Sequence, residues 1–265
     1  MKSLAAAIGL AALAVGAGAA SSGGQVEQIS ASAQEANAPY DGRFAFVRLR
    51  YGTSGSDVRE NLLLDRFGRG GREPMWSHDA PRAEHNFLRI LEEVTSVWTS
   101  PDSRLILSAD DYDLFRHPIA YIVEPGYWFP TDSEVLALRN WLLKGGFLIV
   151  DDFRGRHRIN FEAQMRRVMP AAELKVLQGQ EEIFDSFFHI KDPYSLIPPY
   201  DQDLAPVYLG VFEDNDPSRR LMVIANYNND IAEYWEFSDY GYYPIDLSNE
   251  AYKFGVNYIM YALTH

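Results

Sequence analysis

The stretch Gly145-Gly146-Phe147-Leu148-Ile149-Val150-Asp151-Asp152-Phe153-Arg154-Gly155 decides how this chain is read. An apolar run of four residues ends in two carboxylates and then a turn. The run is too short for a helix and shows no alternation, which is the pattern of a strand buried on both faces. Such strands belong to parallel sheets covered by helices. In open sheets of that kind, ligands lie just beyond the carboxyl ends of the strands. Asp151 and Asp152 fall at that place.

The flanking sequence agrees. Thr131-Asp132-Ser133-Glu134 is a capping box opening a helix with Val135, Leu136, Leu138, Trp141 and Leu142 on one stripe. Gly145 stops that helix. Upstream, Phe44 to Tyr51 reads as the first strand. Pro81 to Thr95 carries Phe87, Leu88, Leu91 and Val94 at helical spacing. Arg104 to Ser108 and Ile119 to Val123 read as strands, the first followed by Asp110-Asp111 and the second closed by Glu124-Pro125-Gly126. Downstream come a short helix over Phe161 to Val168, a strand over Leu174 to Leu177 and a helical turn over Ile183 to Phe188. A proline-rich surface loop or lid follows over Asp192 to Pro206. The hairpin Val207–Phe212/Leu221–Ala225, a polar and aromatic loop over Asn226 to Tyr243 and a last helix over Ser248 to Leu263 complete the chain. Strands alternating with helices predict an α/β fold. Its form is three layers: a mostly parallel sheet with helices on both faces, plus a C-terminal hairpin and helix.

The start of the chain reads as a leader rather than fold. Met1-Lys2-Ser3 precedes an uncharged Ala/Leu/Val run, and Ala17-Gly18-Ala19 fits a small-x-small cleavage site. The expected organisation is a signal peptide over 1–19, a flexible linker over 20–42 and one domain over 43–265. Export across an inner membrane to a periplasm follows, with no membrane insertion after cleavage. An apolar content of 47% suffices for one sizeable core. With 24 basic against 37 acidic residues, the net charge of −13 disfavours nucleic acid and anionic lipid as partners. There is no cysteine, which excludes disulfides and a thiol nucleophile. Gly52 to Pro74, with glycines set among arginines, is expected to be a mobile basic loop.

Each candidate site residue has a plain alternative. Asp151 and Asp152 suit a general base, a metal ligand or a polar anchor. Neighbouring strand residues face opposite ways, however, and Asp is a common turn former. Asp110 shares the expected rim, and Asp111 suits the cap of a short turn at Tyr112 to Phe115. Glu124 and Gly126 close a strand, where the glycine admits either a ligand or a tight turn. Asn226, Asn228, Asn229 and Asp230 form the densest polar cluster. It suits a hydroxylated ligand, Mg²⁺ or Ca²⁺, or an Asn-rich turn. Arg154, with Arg156 and Arg158, suits an anionic ligand or local ion pairs. Trp235 and the tyrosines around it suit a sugar or a packed edge. No paired-histidine spacing marks a zinc site, so no metal ligand is assigned. No cofactor is expected, a divalent cation being the open option.

The order of several motifs resembles the bacterial family called domain of unknown function 4159. They are Phe44–Tyr51, Leu114-Phe115-Arg116-His117-Pro118, Gly145-Gly146 through Asp151-Asp152, Asn229-Asp230 with Trp235-Glu236, and Gly255-Val256-Asn257 with Tyr261–Thr264. The resemblance implies a class I glutamine amidotransferase-like, flavodoxin-like sheet. In such enzymes the nucleophilic cysteine occupies the turn where this chain carries Asp151-Asp152, so thiol amide hydrolysis is excluded. The leading expectation is an exported, non-catalytic binding or scaffolding domain whose partner is a protein or a small polar ligand. A carboxylate- or metal-dependent hydrolase and a cell-wall carbohydrate binder are the alternatives.

Overall fold

Phe147 and Ile149 pack into one apolar cluster, Leu148 and Val150 into another, on opposite faces of a seven-stranded sheet. The strand is therefore buried on both sides, and helices cover both. The computed structural model describes residues 37, 39–52 and 74–265. The expected leader, most of the expected linker and the body of the Gly52–Pro74 loop lie outside the described residues.

The strands are β1 (Phe44–Leu49), β2 (Thr99–Leu107), β3 (Ile119–Val123), β4 (Phe147–Phe153), β5 (Lys175–Val176), β6 (Val207–Phe212) and β7 (Leu221–Tyr227). Their spatial order is β2-β1-β3-β4-β7-β6-β5. The pairs β1/β2, β1/β3, β3/β4 and β4/β7 are parallel, whereas β6 and β5 close the far edge antiparallel to their neighbours. The principal helices are α1 (Arg82–Val94), α2 (Asp132–Leu143), α3 (His157–Val168), α4 (Ile231–Glu236) and α5 (Ile245–Thr264). Phe87, Leu88 and Leu91 of α1 join Trp235 of α4 and Val256 and Ile259 of α5 in the first cluster. Leu138, Trp141 and Leu142 of α2 join Phe161, Met165 and Val168 of α3 in the second. This is the expected α/β arrangement with a mostly parallel sheet and a C-terminal helix.

Local chemistry sets the boundaries. At α2 the Thr131 hydroxyl accepts from Glu134 N, while the Glu134 carboxylate accepts from Thr131 N, completing the capping box. The Asp111 side chain accepts from Asp113 N and caps the turn at Tyr112–Arg116, as its position suggests. Several boundaries differ from expectation: β4 runs on to Phe153 and β7 to Tyr227, and the turn expected over Ile183–Phe188 is Glu182–Phe184. β2 begins at Thr99 rather than Arg104, because Thr99 pairs with Phe44 of β1 before the register shifts and resumes at Arg104 opposite Phe46. α3 starts at His157 rather than Phe161, since its first turn is polar and only its later turns are buried. α5 starts at Ile245 rather than Ser248, directly after Pro244. The stretch Asn226–Tyr243 contains helix α4, which Asp230 caps by accepting from Glu233 N.

Candidate functional site

The register of β4 on β7 shifts between Val150 and Phe153, so a bulge falls on Asp151 and Asp152. A bulge places an extra residue in one strand and re-aims its side chain. Here it lifts the constraint that adjacent strand residues face opposite layers. Asp152 takes a left-handed backbone with φ of 51°, uncommon for a residue with a Cβ. Glu124, just past the end of neighbouring β3, has the same φ of 51°.

Asp151 is fully buried and accepts on all sides. Asn226 Nδ2 donates to Oδ1 at 2.9 Å. The Tyr121 hydroxyl donates to Oδ2 at 3.1 Å, and the backbone N–H groups of Ile231 and Ala232 donate to the same oxygen at 3.0 Å each. The Tyr258 hydroxyl in turn donates to Asn226 Oδ1 at 2.8 Å. Asp151 is thus an anchor that ties β4 to β7 and to the start of α4. Of the roles open to it in sequence, the polar anchor is the one its contacts describe.

Asp152 meets different chemistry. Its Oδ2 lies 2.9 Å from Nδ1 of His78, in the turn that follows Met75–Ser77. That turn is held by Arg48 of β1, whose guanidinium donates to the carbonyls of Trp76 and His78 and pairs with buried Glu84 of α1. Next to His78, Asp79 is enclosed, with its φ at 64° and neither carboxylate oxygen hydrogen-bonded among the described residues. Ligating atoms of His78, Asp152 and Asp230 lie within 4.8 Å of one another, as do those of Asp79, Asp230 and Glu233. Glu124 sits beside the group, its Oε2 3.6 Å from His157 Nδ1.

Crowded buried carboxylates resist ionisation. Burial, followed by the charge of Asp152, pushes Glu124 up to about 8. Burial also raises Asp151 to about 6 against the pull of its hydrogen-bond donors. Asp230 is pushed well above the usual carboxylate range by burial and by Asp152, Asp79 and Asp151. Asp79 moves the same way through burial, with His78 opposing. His78 shows the converse: its hydrogen bond to Asp152 raises it to about 10 despite partial burial. The crevice therefore favours positive charge.

The expected loop or lid over Asp192–Pro206 lies against this rim. The Leu196 and Ala205 carbonyls accept from Asn229 Nδ2 and Asn228 Nδ2, and the Ile197 carbonyl accepts from the Tyr234 hydroxyl. Tyr200 of this segment stacks under the Arg154 guanidinium, 4.0 Å from Cζ to the ring centroid. Its hydroxyl has no hydrogen-bond partner among the described residues, and the charges of Asp152 and Asp230 help burial raise it far above its usual range. His78 keeps about half its side chain exposed, so solvent reaches the crevice there.

The sequence candidates divide accordingly. Asp151, Asp152, Glu124 and Asp230 gather at one rim. Asn228 and Asn229 brace it: Asn229 Oδ1 accepts from Asp230 N, while Asn228 Oδ1 is left without a partner among the described residues. Asp110 stays exposed, accepts from Ser108 and Ser133, and has no hydrogen bond to the cluster. At Gly126 an added Cβ would lie 2.4 Å from His157 Cγ, so the close packing there calls for glycine. Trp235 is corrected from a ligand contact to a packing position. It is 2% exposed and stacked on Phe87 at 4.5 Å, so it offers no face to a sugar. His78, Asp79, Tyr200 and Glu233 were not singled out in sequence. The histidine-acid pair at the foot of α1 was the one available signal.

A family described as a domain of unknown function (DUF4159) matches residues 46–263. The chain belongs to that family. No curated protein matches it. The DUF4159 match takes in all of the sheet but the first two residues of β1, and every residue of the crevice, so rim and sheet belong to one family domain. Among the described residues of this DUF4159 chain, no helix is long and apolar enough to cross a membrane.

Proposed function

We propose that this chain is an exported binding domain that holds a cationic ligand in the crevice at the carboxyl ends of β3, β4 and β7. Its sheet is of the amidotransferase-like kind, with Asp151-Asp152 where such enzymes carry their cysteine. One observation carries the reading: ligating atoms of His78, Asp152 and Asp230 lie close together, as do those of Asp79, Asp230 and Glu233, so that the two groups share Asp230 and His78 is the basic residue among them. Such an arrangement attracts positive charge and repels anions. The leader-like start of the chain supports export.

The test is a thermal-shift panel on the purified protein. Spermidine, arginine, Mn²⁺ and Zn²⁺ represent cations; citrate and phosphate represent anions. At least one cation should raise the melting temperature, and Asp152→Asn should remove the rise. Stabilisation by the anions alone, or by nothing in the panel, refutes the reading.

A second reading, a carboxylate-dependent hydrolase, is favoured by the backbone of Asp152. A left-handed residue directly after a central strand, with an imidazole at 2.9 Å, is a placement suited to reaction as well as binding. Turnover of an ester or amide library that is lost in Asp152→Asn would favour it over pure binding.

A further inference from the structure

Among the described residues, Asp79 is the least explained group. Its side chain has no exposure, and both its oxygens lack hydrogen bonds among the described residues. Buried carboxylates in folded proteins are hydrogen-bonded, paired or bound to a metal. His78 Nδ1 is 3.6 Å away, but that nitrogen faces Asp152 at 2.9 Å. Asp79 points instead into the group it forms with Asp230 and Glu233. Two further buried polar atoms around the same crevice, Tyr200 Oη and Asn228 Oδ1, also lack partners among the described residues. Asp79 Oδ1 and Oδ2 and Asn228 Oδ1 are acceptors that find no donor among the described residues, and Tyr200 Oη can accept as well as donate, a lining suited to a cation.

We propose that the crevice binds one divalent metal ion, with His78 Nδ1, Asp152 and Asp230 as its protein ligands and Asp79 and Glu233 beside Asp230 as the remaining oxygen donors. This rests on the cationic-ligand reading and gives it a chemical class. The geometry fits: His78 Nδ1 and Asp152 Oδ2 are 2.9 Å apart, and metal bonds of about 2.1 Å at right angles place neighbouring ligands about 3 Å apart. The donor set decides the ion. An imidazole nitrogen among carboxylates suits first-row ions such as Mn²⁺ and Zn²⁺ better than Mg²⁺ or Ca²⁺, which prefer oxygen alone. The half-exposed face of His78 is the way in.

The site is divided between distant segments. His78 and Asp79 precede α1, Asp152 ends β4, and Asp230 and Glu233 open α4. Arg48 holds the first segment by its bonds to Trp76 O and His78 O. Asp151 holds the third by its bonds to Ile231 N and Ala232 N. The first and third segments thus each have a positioning residue behind them, the support that ligand spheres need.

The experiment is titration of the chelator-treated protein with Mn²⁺, followed by the electron paramagnetic resonance of the free ion, and with Zn²⁺ by calorimetry. Wild type should bind one ion per chain. His78→Ala and Asp230→Asn should each weaken binding at least tenfold, and Asp110→Asn should leave it unchanged. Asn is as good a helix cap as Asp, so Asp230→Asn retains α4, and circular dichroism checks this. Failure of wild type to bind either ion overturns the inference, as does wild-type binding by both His78→Ala and Asp230→Asn. If spermidine still stabilises the protein through Asp152 while neither metal binds, the metal assignment falls and the cationic-ligand reading stands. If nothing binds, both fall.

Discussion

His78 Nδ1 and Asp152 Oδ2 stand 2.9 Å apart across 74 positions of sequence. The contact joins the turn before α1 to the bulged end of β4, and it brings the crevice's histidine onto its acidic wall. The two residues do different work from their neighbours. Asp151 is consumed by four donors and serves the fold, whereas Asp152 remains turned toward the crevice.

Besides Asp79 and Asp230, three groups at this rim hold their protons more tightly in the folded chain than their ordinary values imply: Asp151 at about 6, Glu124 at about 8 and His78 at about 10. A group of that kind contributes stability that is complete below its unfolded value and lost as pH rises through its folded value. The windows run upward from 3.8, 4.5 and 6.5 respectively. Around His78 the facing charges are Asp152, Asp79 and Glu124. The carboxyls lowered by local bonds, such as Asp110 and Asp216, titrate below this range. The melting temperature of the metal-free protein should therefore fall steadily from pH 5 to pH 9. His78→Ala should flatten the alkaline part of that fall. A melting temperature that is level or rises over this interval contradicts the assignment.

Asp151→Asn tests the anchor. The amide keeps the shape but turns an N–H₂ or a weaker acceptor toward the N–H groups of Ile231 and Ala232, the Tyr121 hydroxyl and Asn226 Nδ2. Leaving such buried groups poorly matched should cost about 3 kcal/mol in urea denaturation. Asp110→Asn, at the exposed end of β2, should change stability by less than about 0.5 kcal/mol. Equal effects of the two substitutions would remove the distinction between anchor and surface carboxylate.

These contrasts show what was legible in sequence. The run Phe147–Val150 announces a two-faced strand because both faces need apolar side chains, and Thr131/Glu134 announce a helix start because their bonds are local. Asp151 and Asp152 mark the rim for the same reason: carboxylates directly after such a run lie at its carboxyl end. Their division of labour was not legible, because it comes from a bulge paired to β7, more than seventy residues away. Nor was His78, whose role depends on where Arg48 and Glu84 hold its turn. Trp235 misled because a tryptophan among tyrosines looks alike whether it faces solvent or, as here, Phe87.

Gly255→Ala tests the packing beneath the site. Gly255 lies in α5 where an added Cβ would come within 2.4 Å of Phe87 Cε2 and 2.5 Å of Trp235 Cζ2. Those rings are stacked on each other and buried, so neither has room to yield. Alanine has the higher helix propensity, and on a free surface the change would stabilise by about 1 kcal/mol. Here overpacking should win and destabilise by about 1–3 kcal/mol. Chemical denaturation gives the sign directly, and stabilisation would show that the α1–α4–α5 contact is looser than described.

Arg48 separates stability from site geometry. It is 1% exposed and does two things at once: it neutralises Glu84, and it donates to the carbonyls of Trp76 and His78. Arg48→Met strands a buried carboxylate, which should cost about 3–5 kcal/mol. Adding Glu84→Leu removes that carboxylate, and replacing a buried pair with apolar groups is often neutral. The double variant should therefore recover much of the lost stability. It does not restore donors to Trp76 O and His78 O, so the turn that presents His78 stays untied and Mn²⁺ affinity should remain at least tenfold below wild type. Recovery of stability and affinity together would mean that Arg48 serves the fold alone. Recovery of stability without affinity would mark it as the residue that positions His78 against Asp152.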